Sequence, residues 1–184
     1  SSSDHVTYHP GWLHHIALNT HLPSAWIPDT RLWTSEQLPQ PSSFEIEAVI
    51  KSEDSRRDWL NTLLSTGVVK LRNAPKQRDF LQSFATLLGP IRETNFGSIW
   101  DVKADVNLAG RADTNTTANT NLKLNPHTDL PSRETPPGFQ FLHCLYNETN
   151  GGESTIADGY AVVNTLKKSW PSHYEALSTL NWIF

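Results

Sequence analysis

Asn125-Pro126-His127-Thr128-Asp129-Leu130-Pro131, followed shortly by Gly138-Phe139-Gln140-Phe141-Leu142-His143-Cys144-Leu145, is the stretch on which the reading of this chain turns. Its second half alternates. Phe139, Phe141, His143 and Leu145 fall on one face of an extended backbone and Gln140, Leu142 and Cys144 on the other, which predicts a strand over 138–145. In the first half the same rule sets His127 beside Asp129, because residues i and i+2 of an extended chain point the same way. An imidazole nitrogen and a carboxylate oxygen so placed are two adjacent ligands for a divalent metal. A distant second His would complete a two-His-one-carboxylate set, whose open positions suit non-haem iron and oxygen. Taken alone, His-x-Asp is common, and a solvated turn explains it as well.

Beyond this stretch, Asn147 to Gly152 reads as a turn, Ser154-Thr155-Ile156-Ala157 as a strand, and 160–167 and 172–179 as helices. The last residues, Asn181-Trp182-Ile183-Phe184, read as a strand cut short. Before it, Thr94 to Asn125 is polar, and Asp113-Thr114-Asn115-Thr116-Thr117 is expected to be a loop. Phe80, Leu81, Phe84, Leu87 and Leu88 form a helical stripe that Gly89-Pro90 stops. Gly67-Val68-Val69-Lys70-Leu71 predicts a strand. Ser52-Glu53-Asp54 predicts a helix start, leading to Trp59, Leu60, Leu63 and Leu64 at helical spacing. Residues 1–42 carry Pro10, Pro23, Pro28, Pro39 and Pro41, which forbid a long helix. They are expected to form a small loop-rich domain preceding a larger one over 43–184.

The bulk numbers exclude several classes. With 184 residues, 37% hydrophobic and 18% charged, the chain is rich enough in apolar residues to fold. A net charge of −4 without a Lys/Arg cluster argues against a nucleic-acid partner, which needs a concentrated basic face. No apolar run approaches the roughly 20 residues of a membrane span. The single cysteine, Cys144, rules out an internal disulfide and a multi-cysteine zinc site. A reducing, cytoplasmic setting is the expectation, and the start lacks the basic and apolar regions of a secretory signal. The chain has no Met, so it is expected to be trimmed or part of something longer.

Together the motifs carry a resemblance. Leu88-Gly89-Pro90-Ile91-Arg92-Glu93, His127-Thr128-Asp129-Leu130-Pro131, Pro136-Pro137-Gly138 through Leu145, Gly151-Gly152-Glu153-Ser154 and Asp158-Gly159 occur in an order and spacing that resembles the gamma-butyrobetaine dioxygenase branch of the TauD/TfdA oxygenases. The resemblance covers about three quarters of the chain, and residues 1–42 look like that branch's small N-terminal domain. It implies a mainly β fold with flanking helices: a double-stranded β-helix (jelly roll), here incomplete at its C-terminal end. It also implies an Fe(II)- and 2-oxoglutarate-dependent dioxygenase that uses O2 to hydroxylate an unactivated C–H bond of a small molecule and converts 2-oxoglutarate to succinate. His127 and Asp129 would be iron ligands. Ser154 falls where such enzymes set a hydroxyl against the far carboxylate of 2-oxoglutarate. Asp129 favours hydroxylation, since related halogenases lack a carboxylate at that place. A homodimer is compatible with this reading.

The resemblance also has gaps. The second His ligand and the 2-oxoglutarate-binding Arg are expected beyond residue 184, and His173 comes too early to serve. Residues 1–42 lack the cysteines that hold zinc in several relatives, so a structural zinc is not expected; His5, His9, His14, His15 and His21 read as ordinary imidazoles. Relatives that bind a trimethylammonium group enclose it with aromatic rings. Trp100 lies where one such ring would come from, and it serves equally as a core or rim aromatic. Asn119 stands where those relatives tend to carry Tyr, and Ser132 where a larger residue is usual. Gamma-butyrobetaine is therefore not the expected substrate. A non-catalytic binding or assembly protein on the same fold remains open. A zinc hydrolase would need an HExxH-like cluster, and none is present.

Overall fold

The computed structural model describes residues 10, 17, 29–94, 97–102, 123–131, 133, 138–147 and 153–181. The chain divides into two units, Ser1–Ala74 and Pro75–Phe184. In the first, β1 (Ser43–Glu45) leads into α1 (Ile46–Lys51), α2 (Glu53–Thr66) and β2 (Lys70–Arg72). The strands pair in parallel, with Phe44 opposite Leu71 and Glu45 opposite Arg72. Parallel neighbours need a crossover connection, and the two helices supply it.

Local chemistry explains both helices. Ser52 belongs to both: its backbone N–H closes α1 on the Ala48 carbonyl, while its hydroxyl accepts from the Ser55 N–H at the start of α2. Glu53 and Asp54 in the first turn of α2 suit the positive end of the helix dipole. Arg56 reaches back to donate to the Val49 and Ile50 carbonyls, satisfying acceptors that the end of α1 leaves open. Gly67, at φ 76°, ends α2 in the left-handed conformation that glycine adopts without a Cβ penalty. Segment 29–38 adds two more caps at that end: the Trp33 indole donates to the Thr66 carbonyl at 2.8 Å and the Arg31 amide to the Ser65 carbonyl at 2.7 Å. Ile46, Val49 and Trp59 form the buried core of this unit.

The second unit contains α3 (Phe80–Ala85), α4 (Gly159–Ser169) and α5 (Pro171–Thr179). Phe80 and Phe84, one turn apart on α3, stack at 5.9 Å. Phe84 meets Phe141 edge to face at 6.0 Å, and Phe80 lies 5.9 Å from the His143 ring. The predicted alternation holds from Gln140 to Leu145, where Phe141 and His143 meet α3 and Gln140, Leu142 and Cys144 are exposed, but Phe139, predicted on the inner face, is 53% exposed. Asp158 caps α4, its carboxylate accepting from the Tyr160 and Ala161 amides. Pro171 opens α5, where its missing N–H costs nothing.

The expected predominance of β-structure is not seen among the described residues. The described residues form five helices and two strands of three residues each. Segments 138–145 and 154–157, read as strands, pair with no described residue. Alternation reports which side chains are covered; a strand also needs a neighbour to complete its hydrogen bonds, and the pattern does not say where that neighbour comes from. The predicted strand over 67–71 is shorter and shifted, and the stripe on α3 ends at Ala85, with 86–88 as a turn. The polar loop at 113–117 lies outside the described residues, as does most of 1–42. Among the described residues no helix is long and apolar enough to cross a membrane.

Candidate metal centre

His127 and Asp129 lie together in the segment before the α3-facing strand-like stretch, each about half exposed (48% and 47%). The His127 Nδ1–H donates to the Asn125 carbonyl at 2.8 Å. A carbonyl can only accept, so the proton sits on Nδ1, and in the neutral ring Nε2 carries the lone pair. That nitrogen is 3.1 Å from Asp129 Oδ1. Nε2 and Oδ1 are thus two adjacent electron-pair donors, the combination that a divalent cation takes as ligands.

The spacing fits a metal. Two ligands about 2.1 Å from a divalent cation and at right angles to one another stand about 3 Å apart. The second Asp129 oxygen, Oδ2, accepts from Gln140 Nε2 at 2.6 Å. Ring and carboxylate are thus each anchored through the atom that does not face the other, the arrangement that outer partners commonly give metal ligands. Leu130, next in sequence, has φ 51°, uncommon for a residue with a side chain, and the Arg133 amide donates to its carbonyl. The backbone turns back at once after the ligand pair. Such backbone outliers cost about 1–3 kcal/mol and collect at functional sites.

The remaining sequence candidates are less tied to this pair. Ser154 is exposed in the segment ahead of α4, and no hydrogen bond among the described residues joins it to His127 or Asp129. Trp100 is 38% exposed in the stretch between α3 and the ligand segment. Asn119 and Ser132 lie outside the described residues. Among the described residues no third His, Cys, Asp or Glu joins the pair. Sequence reasoning missed Gln140 and the Asn125 carbonyl. For Gln140 a signal existed: it is a polar residue within an apolar run, on the face opposite Phe141 and His143.

Comparison with known proteins agrees with the motifs. The family described as "Taurine catabolism dioxygenase TauD, TfdA family" matches residues 32–184. The chain belongs to the TauD/TfdA family. That family's fold is a double-stranded β-helix, and its dioxygenases depend in general on Fe(II) and 2-oxoglutarate. Among TauD/TfdA relatives, the gamma-butyrobetaine dioxygenase of Pseudomonas sp. (strain AK-1) is 36% identical over 173 residues, covering 92% of this chain and 43% of that protein. The human gamma-butyrobetaine dioxygenase is 34% identical over 155 residues (84% and 38%). The human mitochondrial trimethyllysine dioxygenase is 30% identical over 149 residues (80% and 34%). The chain spans less than half the length of these relatives.

Proposed function

We propose that this chain is the iron-ligating portion of an Fe(II)- and 2-oxoglutarate-dependent dioxygenase that hydroxylates a C–H bond of a small molecule. One observation carries the reading: His127 Nε2 and Asp129 Oδ1, 3.1 Å apart and both accessible to solvent, in a TauD/TfdA chain. The reading requires two groups besides the residues named here, a second His ligand and an Arg for 2-oxoglutarate. When bound, Fe(II) with 2-oxoglutarate and O2 supplies the oxidising chemistry, turning one substrate C–H into C–OH while 2-oxoglutarate becomes succinate and CO2.

The chain's own residues bind and orient. His127 contributes a neutral nitrogen whose tautomer is set by the Asn125 carbonyl, and Asp129 contributes one negative charge toward the divalent ion. The Ser154 hydroxyl donates to the far carboxylate of 2-oxoglutarate, a charge-assisted bond about twice as strong as a neutral one. Trp100 and Asn119 help to line the substrate side. An aromatic ring favours a quaternary ammonium group, but Asn119 supplies no ring, so gamma-butyrobetaine is not the preferred substrate. Residues 1–42 form a small loop-rich domain, and 43–184 belong to a mainly β, double-stranded β-helix core.

Succinate formation and O2 uptake test the proposal, measured on the native protein with a panel of small amines and amino acids that includes gamma-butyrobetaine. Substrate-dependent succinate that His127→Ala abolishes is the expected result. The second reading, a binding or assembly protein on the same fold, draws on the long polar loop and the departures at Asn119 and Ser132. It gains if no compound yields succinate although the wild type holds metal at His127.

A further inference from the structure

We propose that Gln140 is a positioning residue that holds Asp129 as a one-oxygen ligand. This inference rests on the metal reading above and deepens it. Gln140 Nε2 donates to Asp129 Oδ2 at 2.6 Å, while the other oxygen, Oδ1, faces His127 Nε2. A carboxylate on a short side chain can rotate to offer one oxygen or both to a cation. The hydrogen bond occupies Oδ2 and leaves Oδ1 as the free donor on the imidazole side.

The choice of an amide fits this task. A Lys or Arg at position 140 would form an ion pair and draw negative charge away from the metal. A Glu would repel Asp129 or compete with it for the cation. The Gln side chain donates without charge, so the carboxylate keeps its full attraction for a divalent ion. Position 140 is also well anchored, because its neighbour Phe141 packs edge to face on Phe84, which is 3% exposed. Phe141 packs on α3 while Gln140, beside it, is exposed and meets Asp129. The packing of α3 is thus transmitted to the ligand through a single residue step.

The test is a titration of the full chain with Mn(II), followed by electron paramagnetic resonance, for wild type, Gln140→Leu, Gln140→Ala and His127→Ala, with far-ultraviolet circular dichroism on each. Outer partners of metal ligands typically govern affinity by about 10–100-fold. Both Gln140 variants should lose Mn(II) affinity by about that factor, with an altered resonance line shape for the ion that remains bound and unchanged helical content. Two Gln140 variants guard against one failing to fold. Wild-type affinity and line shape in both, with binding lost in His127→Ala, overturns the positioning role and leaves the metal site standing. Equal Mn(II) binding by His127→Ala and wild type overturns the metal reading itself, and this inference with it.

Discussion

Asp129 makes two separate contacts, one through each oxygen. Asp129→Asn keeps the size of the side chain and an oxygen for Gln140 but removes the charge facing His127. Mn(II) affinity is therefore expected to fall at least as far as on loss of an outer partner, about 10–100-fold, measured by the same titration. A milder electrostatic effect belongs to Glu47. The hydrogen bond from Lys51, and then its positive charge, hold the Glu47 carboxyl below its ordinary value. A depressed carboxyl contributes stability above its unfolded value and loses it as the pH falls through the folded one. Replacing it by Gln should therefore lower the melting temperature slightly at neutral pH and leave it unchanged in strong acid. The His127–Asp129 pair was legible in the sequence because it depends only on i and i+2 sharing a face. The Gln140 contact spans eleven residues, and nothing in a linear pattern says that two such segments meet.

At the level of elements, the best-read part of the chain is α2, because every signal for it is local. The Ser52 cap, the two acids after it, Trp59 on the inner face and Gly67 at the end all act within a few residues. Ser52→Ala removes the hydroxyl that accepts from Ser55 and should cost about 1 kcal/mol. Gly67→Ala meets nothing within 4 Å, so its cost is conformational: a Cβ at φ 76° costs roughly 1–2 kcal/mol. Both values can be read from urea unfolding followed by helical circular dichroism. The strand readings at 138–145 and 154–157 succeeded less well for a physical reason. Phe141 and His143 do meet α3, yet Phe139 is exposed and no described residue supplies a ladder. Side-chain periodicity is a property of one segment, whereas pairing belongs to two.

Across the whole molecule, burial is uneven. Among the described residues the buried apolar side chains are Ile46, Val49 and Trp59 in Ser1–Ala74, and Phe84 alone in Pro75–Phe184. Neither α4 nor α5 buries a residue, and Tyr160, Val162, Trp170 and Leu180 are each more than half exposed. Local stability follows buried contacts. Hydrogen exchange should therefore be slow in the middle of α2 and fast throughout α4 and α5; equal protection would contradict the described packing. The family's fold closes strands from distant parts of a chain into two facing sheets. The motifs revealed that fold through resemblance, whereas the residues described here show one small parallel sheet and five helices. Family membership was thus legible from the order of short motifs. The sheet was not, because its partners are set by the chain's path and not by composition.

The burial of Trp59 also gives this chain an optical handle. Its indole is 1% exposed, whereas Trp100 and Trp170 are 38% and 54% exposed. Light emitted by a dry indole is shifted to the blue and shielded from dissolved quenchers, while that from wet indoles is redder and readily quenched. Acrylamide should therefore extinguish the red part of the emission first, and Trp59→Phe should diminish the blue part that resists it. The component lost in Trp59→Phe reports on Ser1–Ala74, the unit that holds this indole, so the opening of that unit can be followed by colour.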